Sequence, residues 1–358
     1  MKKLILFFVI AFNFTLIFAQ TDAEKAEVYY KKAIDLMDNG SVEESITFLE
    51  LSIKLNPEGA TTYNYEIALA YSYLKEYKKA IKILKSIIEN EDAFDLHYSL
   101  MGTCYDMLGN SKKAIESYKD GLSKFPKSGK IYLELGVMDL MKEDFASALI
   151  NFESGIEVEP IHPSNYFWAS RILLMTDEQV WGMIYGEIFI NLERNTDRTA
   201  IISKELYNTY KSQITFEGDT GFSVSFSKTN SISIEDLKNQ KLPFGVMVYE
   251  TTLMASIIGE TDINLESLNR IRTNFVNHYF DNNLDEKYPN ILFDWQKQLV
   301  DSGYFEAYNN WLLKEGEYET FKTWTDNNEE KFSGFANWYT NNTLIIDEEN
   351  YFLRTQYD

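Results

Sequence analysis

Small and large apolar side chains recur along the first half of the chain with a period close to 34 residues. Ala80, Ala114 and Ala148 stand 34 residues apart, and Ser45 lies 35 before Ala80. Four positions after each comes a large residue (Leu49, Leu84, Tyr118, Phe152), and seven after comes Ser52, Ile87, Gly121 or Gly155. Twelve after stand Pro57, Asp92, Pro126 and Pro160, while twelve before stand Ala33, Ala68, Gly102 and Gly136. Each period predicts two antiparallel helices that approach closely where small residues meet. Gly102 would face Ala114, and Gly136 would face Ala148. Tyr105 with Tyr118, or Phe152, would fill the wider space beside the crossing. Proline lacks the N–H that would continue the second helix, and Gly109 in "LGN" suits the left-handed cap that closes a first helix.

This period and residue pattern resemble the tetratricopeptide repeat (TPR), a helix-turn-helix unit. The match is clear at 26–57, 61–92, 95–126 and 129–160, strongest in the last two. A degenerate fifth unit at 163–194 has Ser170 and Gly182 at the small positions. The resemblance implies an all-α chain, in which residues 20–194 form a TPR superhelix and residues 195–358 a mainly helical C-terminal region with a small β-hairpin. A terminal repeat is often atypical because it caps the stack.

Beyond Asn195 the period stops. "IISKELYNTYKSQI" still spaces its apolar residues as a helix, and "FEGDTGFSVSFS" alternates around a turn, with Phe222, Val224 and Phe226 on one face of a hairpin. The apolar run from Leu242 to Gly259 includes Glu250 and is bounded by Pro243 and Gly259, which predicts a helix buried on most sides. From about Leu265 onward the chain is rich in aromatics at helical spacing, which predicts three to five short helices. "WGMIYGEIFINLERNT" and "FEAYNNWLL" look similar to stretches of uncharacterised exported repeat proteins of the Bacteroidota.

The N-terminus changes the picture of location. Met1-Lys2-Lys3 precedes an apolar stretch from Leu4 to Phe18, and Ala19 offers a small residue for cleavage, so residues 1–19 read as a signal peptide. Export to the periplasm or beyond is expected. An uncleaved N-terminal anchor is the alternative, and the absence of a cysteine near the cut argues against a lipoprotein. No later apolar run is long enough to span a bilayer. The formal charge of −21 argues against a nucleic-acid partner, because phosphate binding needs clustered Lys and Arg. Cys104, the single cysteine, falls in a helical pattern and reads as a small buried hydrophobe.

Candidate chemistry is sparse. His97, His162 and His278 lack a second histidine or cysteine at metal-ligand spacing, and no nucleophile elbow or phosphate loop occurs. Asp281, Asn283 and Asp285 begin a calcium-loop pattern, but Glu286 replaces its glycine and Leu292 its bidentate glutamate. Neither an enzymatic activity nor a cofactor is expected. The family resemblance instead implies a protein or peptide bound on the concave face of the first helices. Its positions fall here on Tyr30, Ile34 and Met37, then Tyr65, Leu69 and Tyr73, then Thr103, Asp106 and Met107, and finally Leu133, Val137 and Met141. The lysine and asparagine clamp that some members use for a C-terminal carboxylate is missing. The expected function is an envelope scaffold binding a peptide or helix. Two alternatives stand beside it: the chain's own later helices fill the groove, or the aromatic C-terminal region binds or hydrolyses glycans.

Overall fold

A computed structural model describes residues 21–89, 92–217, 221–228 and 243–357. The segment expected to be a signal peptide, 1–19, lies outside the described residues. The chain divides into two compact units, 1–117 and 118–358. The boundary expected after residue 194 falls inside the second of them.

In the first unit, helix α1 (Asp22–Asp38) pairs with α2 (Val42–Leu55), and α3 (Ala60–Tyr73) pairs with α4 (Tyr77–Glu89). Helix α5 (Asp95–Met107) follows, and α6 (Ser111–Lys124) carries the chain across the unit boundary. Thr21 and Glu24 start α1 with a reciprocal capping box, each side chain accepting from the other's backbone N–H. The small positions are where the helices meet: Ala33, Ser45, Ser52, Ala68, Ala80 and Ala114 are all fully buried. Ser52 Oγ donates to the Ala26 carbonyl at 2.9 Å and Ser117 Oγ to that of Tyr98 at 3.0 Å, so these serines also pin neighbouring helices. Gly109 ends α5 at φ +74°, the left-handed conformation its place after the helix predicts.

The second unit opens with two further pairs, α7 (Gly129–Leu140) with α8 (Phe145–Val158) and α9 (Pro163–Leu174) with α10 (Gln179–Leu192). At Gly136 the nearest neighbour is the Phe152 ring, 2.4 Å from where a β-carbon would sit, so the small position makes room for the large residue expected beside the crossing. Gly155 lets the next repeat's Asn165 approach, and Asn165 Nδ2 donates back to the Gly129 carbonyl at 3.1 Å. The expected pairing of Ser170 with Gly182 is seen as a 2.7 Å hydrogen bond from Ser170 Oγ to the Gly182 carbonyl.

Helix α10 does not close the stack with a solvated face. Every residue from Val180 to Asn191 is buried, because later segments cover the sides that α9 leaves open. Helix α11 (Asp197–Gln213) packs on α10 and leads into β1 (Ile214–Glu217), which pairs antiparallel with β2 (Gly221–Val224), Ile214 opposite Val224. The expected buried apolar helix begins as a π-helical turn, Phe244–Glu250, and continues as α12 (Thr251–Ile257). Glu250 accepts the backbone N–H groups of Phe226 and Ser227, which accounts for an acid in that run. Helices α13 (Leu265–Asp281), α14 (Leu284–Lys287), α15 (Ile291–Asp301), α16 (Phe305–Leu312), α17 (Tyr318–Asn327) and α18 (Glu329–Asn341) complete the unit. Leu292, at the twelfth position of the calcium-loop pattern, is buried in α15.

The aromatic surplus fills this unit's core. Trp181 stacks on Phe244 and Tyr357 with centroids 5.3 and 5.8 Å apart, and Tyr308 meets Trp295 edge-on at 5.0 Å. Phe305, Tyr308 and Leu312 are buried together, as helical spacing expects. A polar knot lies among the rings. Glu187 of α10 accepts from Arg272 Nη2 at 2.7 Å, Gln296 Nε2 at 2.7 Å and Tyr308 Oη at 2.9 Å. Arg272 also donates to Asn309 Oδ1 at 2.7 Å and Tyr210 Oη at 2.9 Å. One network thus ties four helices, α11, α13, α15 and α16, to α10 or to each other.

The C-terminal segment after α18 returns to the repeats. Arg354 grips Glu153 of α8 with Nε and Nη2 at 2.6 and 2.9 Å, and Tyr185 Oη donates to the same carboxylate at 2.9 Å. Arg354→Ala should leave Glu153 largely buried with one remaining donor, at a cost of about 2 kcal/mol. A lowered melting temperature with faster proteolysis after residue 342 is the expected reading, and an unchanged melt would refute the anchor.

Candidate functional site

The residues expected to contact a partner sit on the first helix of each pair. In the first unit α1, α3 and α5 lie side by side, and their exposed strip is aromatic and acidic. Tyr30 of α1 packs on Tyr63 of α3, centroids 5.6 Å apart, and its hydroxyl lies in the field of Glu66. Tyr65, next to Glu66 on α3, presents its ring edge-on to His97 of α5 at 5.3 Å. Tyr73 closes α3 and is 59% exposed, and Met107 closes α5 at 58%. Ile34 and Leu69 are half-buried between them. Thr103 and Asp106 are half-buried too, with Thr103 Oγ1 donating to the Ser99 carbonyl and Asp106 accepting from Ser111 Oγ, both at 3.0 Å.

Two of the expected residues do not reach the surface. Met37 is 8% exposed and Leu133 only 7%, because helical rotation turns both side chains into the packed side of their helices. Leu133, Val137 and Met141 belong to the second unit, where Leu133 joins the core, Val137 packs against it and Met141 is 71% exposed just past α7. The exposed strip of the first unit therefore rests on Tyr30, Ile34, Tyr65, Leu69, Tyr73, Thr103, Asp106 and Met107. Glu66, half-buried on α3 and itself one of the family's contact positions, joins it. The His97 ring is buried and packs edge-on against Tyr65 from α5, a contact between helices that spacing within one helix cannot show.

Burial sets the electrostatics of the strip. It pushes the Tyr65 hydroxyl up to about 12, with the negative charges of Glu66, Tyr73 and Asp95 adding to the effect. Burial also raises the Glu66 carboxyl, against the neighbouring Tyr30 hydroxyl, which lowers it. The His97 ring is lowered by burial, and its Nδ1 accepts the Phe94 N–H at 2.7 Å, so the neutral form is favoured. Burial likewise pushes the Cys104 thiol up to about 11, which leaves it unreactive at neutral pH. Among the described residues no group of three His, Cys, Asp or Glu side chains is placed to hold a metal ion, and no helix is long and apolar enough to cross a membrane. The strip can bind by ring contact, apolar burial and negative charge.

A paired-helix array with such a strip defines a repeat protein of the helix-turn-helix class. Residues 64–91 and 99–128 match the family model of the tetratricopeptide repeat. Over 94 residues it is 30% identical to a TPR repeat-containing protein of Methanocaldococcus jannaschii, covering 26% of this chain and 29% of that one. Over 145 residues it is 30% identical to the small glutamine-rich tetratricopeptide repeat-containing protein 2 of Saccharomyces cerevisiae, covering 40% and 39%. The chain thus spans well under half the length of these curated relatives. Among solved structures, a TPR protein from Parabacteroides merdae is similar over 82% of this chain and 99% of its own, at 13% identity and a TM-score of 0.38. The structure of pilF from Pseudomonas aeruginosa covers 53% of this chain and 86% of its own, at 15% identity and a TM-score of 0.43.

Proposed function

We propose that this protein is a non-enzymatic scaffold of the cell envelope that holds another protein or peptide on the strip formed by α1, α3 and α5. One observation carries the reading. Tyr73 and Met107 stand exposed at the ends of adjacent first helices, beside half-buried Tyr65 and Leu69, on elements whose other sides are packed. Large apolar groups kept in water within one strip mark a contact surface. Placement in the envelope is supported by the charged start, apolar stretch and Ala19 of the N-terminal segment. The aromatic C-terminal region enters as support for the repeats, since its rings are spent in a core.

A photo-crosslinking residue at Tyr73, compared with one at Lys82 on α4, tests the reading in the native host's envelope. Position 73 is expected to capture a discrete partner that position 82 does not, and Tyr65→Ala with Tyr73→Ala should abolish recovery of that partner without altering the helical circular dichroism. Equal capture from both positions would overturn it.

A further inference from the structure

We propose that the α1–α3–α5 strip takes a partner segment bearing lysine or arginine side chains between apolar ones. This rests on the preceding reading of the strip as a contact surface and specifies the chemistry of what it contacts.

The argument starts from where the chain puts its charges. Helices α3 and α5 contain no lysine or arginine at all, and they carry Glu66, Asp95 and Asp106. Helix α4 has Lys78, Lys79, Lys82 and Lys85, and Lys112 and Lys113 open α6. Of the lysines in α1, Lys25 and Lys31 pair with Asp22 and Glu27 of the same helix at 3.1 and 3.3 Å, and Lys32 lies over the Phe48 ring of α2 at 4.1 Å. Cations are thus assigned to the second helices or used within α1, and the first helices of the next two repeats are left with acids. Helical propensity does not require this, because lysine suits either helix of a repeat.

Among the described residues neither Glu66 nor Asp106 of the strip forms an ion pair. Glu66 is half-buried beside the neutral Tyr30 hydroxyl, while Asp106 accepts from the Ser111 hydroxyl. The raised carboxyl of Glu66 agrees, since a nearby ammonium or guanidinium would pull it down. The rings of Tyr30 and Tyr65 near Glu66 add faces on which a cation can rest. The protein already uses that contact: Lys79 lies over Tyr71 at 4.9 Å and Lys113 over Tyr105 at 5.5 Å. An anionic strip on a chain of net charge −21 would also speed the approach of a basic segment, in a manner that salt screens.

The test measures binding of fluorescein-labelled leucine–arginine, leucine–glutamine and leucine–glutamate peptides of equal length to the mature chain by fluorescence anisotropy, across a salt series. The arginine peptide should bind about tenfold tighter than the glutamine one, and the glutamate peptide weakest. Glu66→Gln with Asp106→Asn should remove most of that preference, whereas Glu44→Gln with Glu50→Gln on α2, an equal loss of charge elsewhere, should leave it within about twofold. If the two double variants weaken arginine binding equally, the cation preference is only net charge and the inference fails. Should arginine and glutamine peptides bind alike, with Tyr73→Ala weakening both, the strip still binds a partner and only its charge preference is wrong. Should no strip variant affect any peptide, both readings fall.

Discussion

Glu187→Ala is expected to unfold the second unit at a urea concentration that leaves the unaltered chain folded. The substitution removes the carboxylate that Arg272, Gln296 and Tyr308 all address, and it strands a guanidinium that is 94% buried at the side chain. Breaking a buried pair from one side costs about 3–5 kcal/mol, a large fraction of the roughly 5–15 kcal/mol that holds a typical domain folded. The six tryptophans, Trp168, Trp181, Trp295, Trp311, Trp324 and Trp338, all lie in the second unit, so their fluorescence follows that unit alone. The midpoint of the fluorescence transition should fall steeply for Glu187→Ala. Replacing both partners, as in Glu187→Leu with Arg272→Met, should recover much of the loss, because two apolar side chains avoid the desolvation of two charges. A double variant no better than the single would mean that the knot acts through its shape and not its charge.

Gly136→Leu is expected to destabilise the second unit. A β-carbon at that position would lie 2.4 Å from the Phe152 ring, and Phe152 is fully buried. Overpacking of this kind costs about 1–3 kcal/mol or more, and Phe152→Ala alone, which opens a cavity, about 3–5 kcal/mol. Combined, the two changes partly cancel, since the new leucine enters the space the ring vacates. The double variant is therefore expected to be more stable than the sum of the single losses by at least about 1 kcal/mol in urea titration. Simple additivity would show that Gly136 and Phe152 do not share that space, and the account of the small position would be wrong.

The contrast between these two sites shows what periodicity can report. Gly136, Ala148 and Phe152 were all marked by their spacing, because a helix pair imposes the same sizes at the same places in every repeat. Rotation about each helix axis then decided that the Phe152 ring lies directly against Gly136. The same rotation buried Met37 and Leu133, two residues the family's contact positions had offered as surface. Glu187 carried no signal, being one acid among 55 aspartates and glutamates. Its partners come from helices that are 85 to 121 residues away along the chain.

The amino-acid sequence by itself determined the helix pairs, their close crossings, the left-handed cap at Gly109 and the confinement of cations to α4 and α6 beside α3 and α5. All of these depend on residues within one or two turns or one period of each other, where backbone geometry converts spacing directly into contact. Only the tertiary structure decided that α10 lies at the centre of a core, that Arg354 fastens the C-terminal segment to Glu153, and that Tyr30 meets Tyr63 and Tyr65 meets the buried His97 between first helices. Those contacts join segments remote in the chain, and their energies exist only once the intervening helices have folded into place.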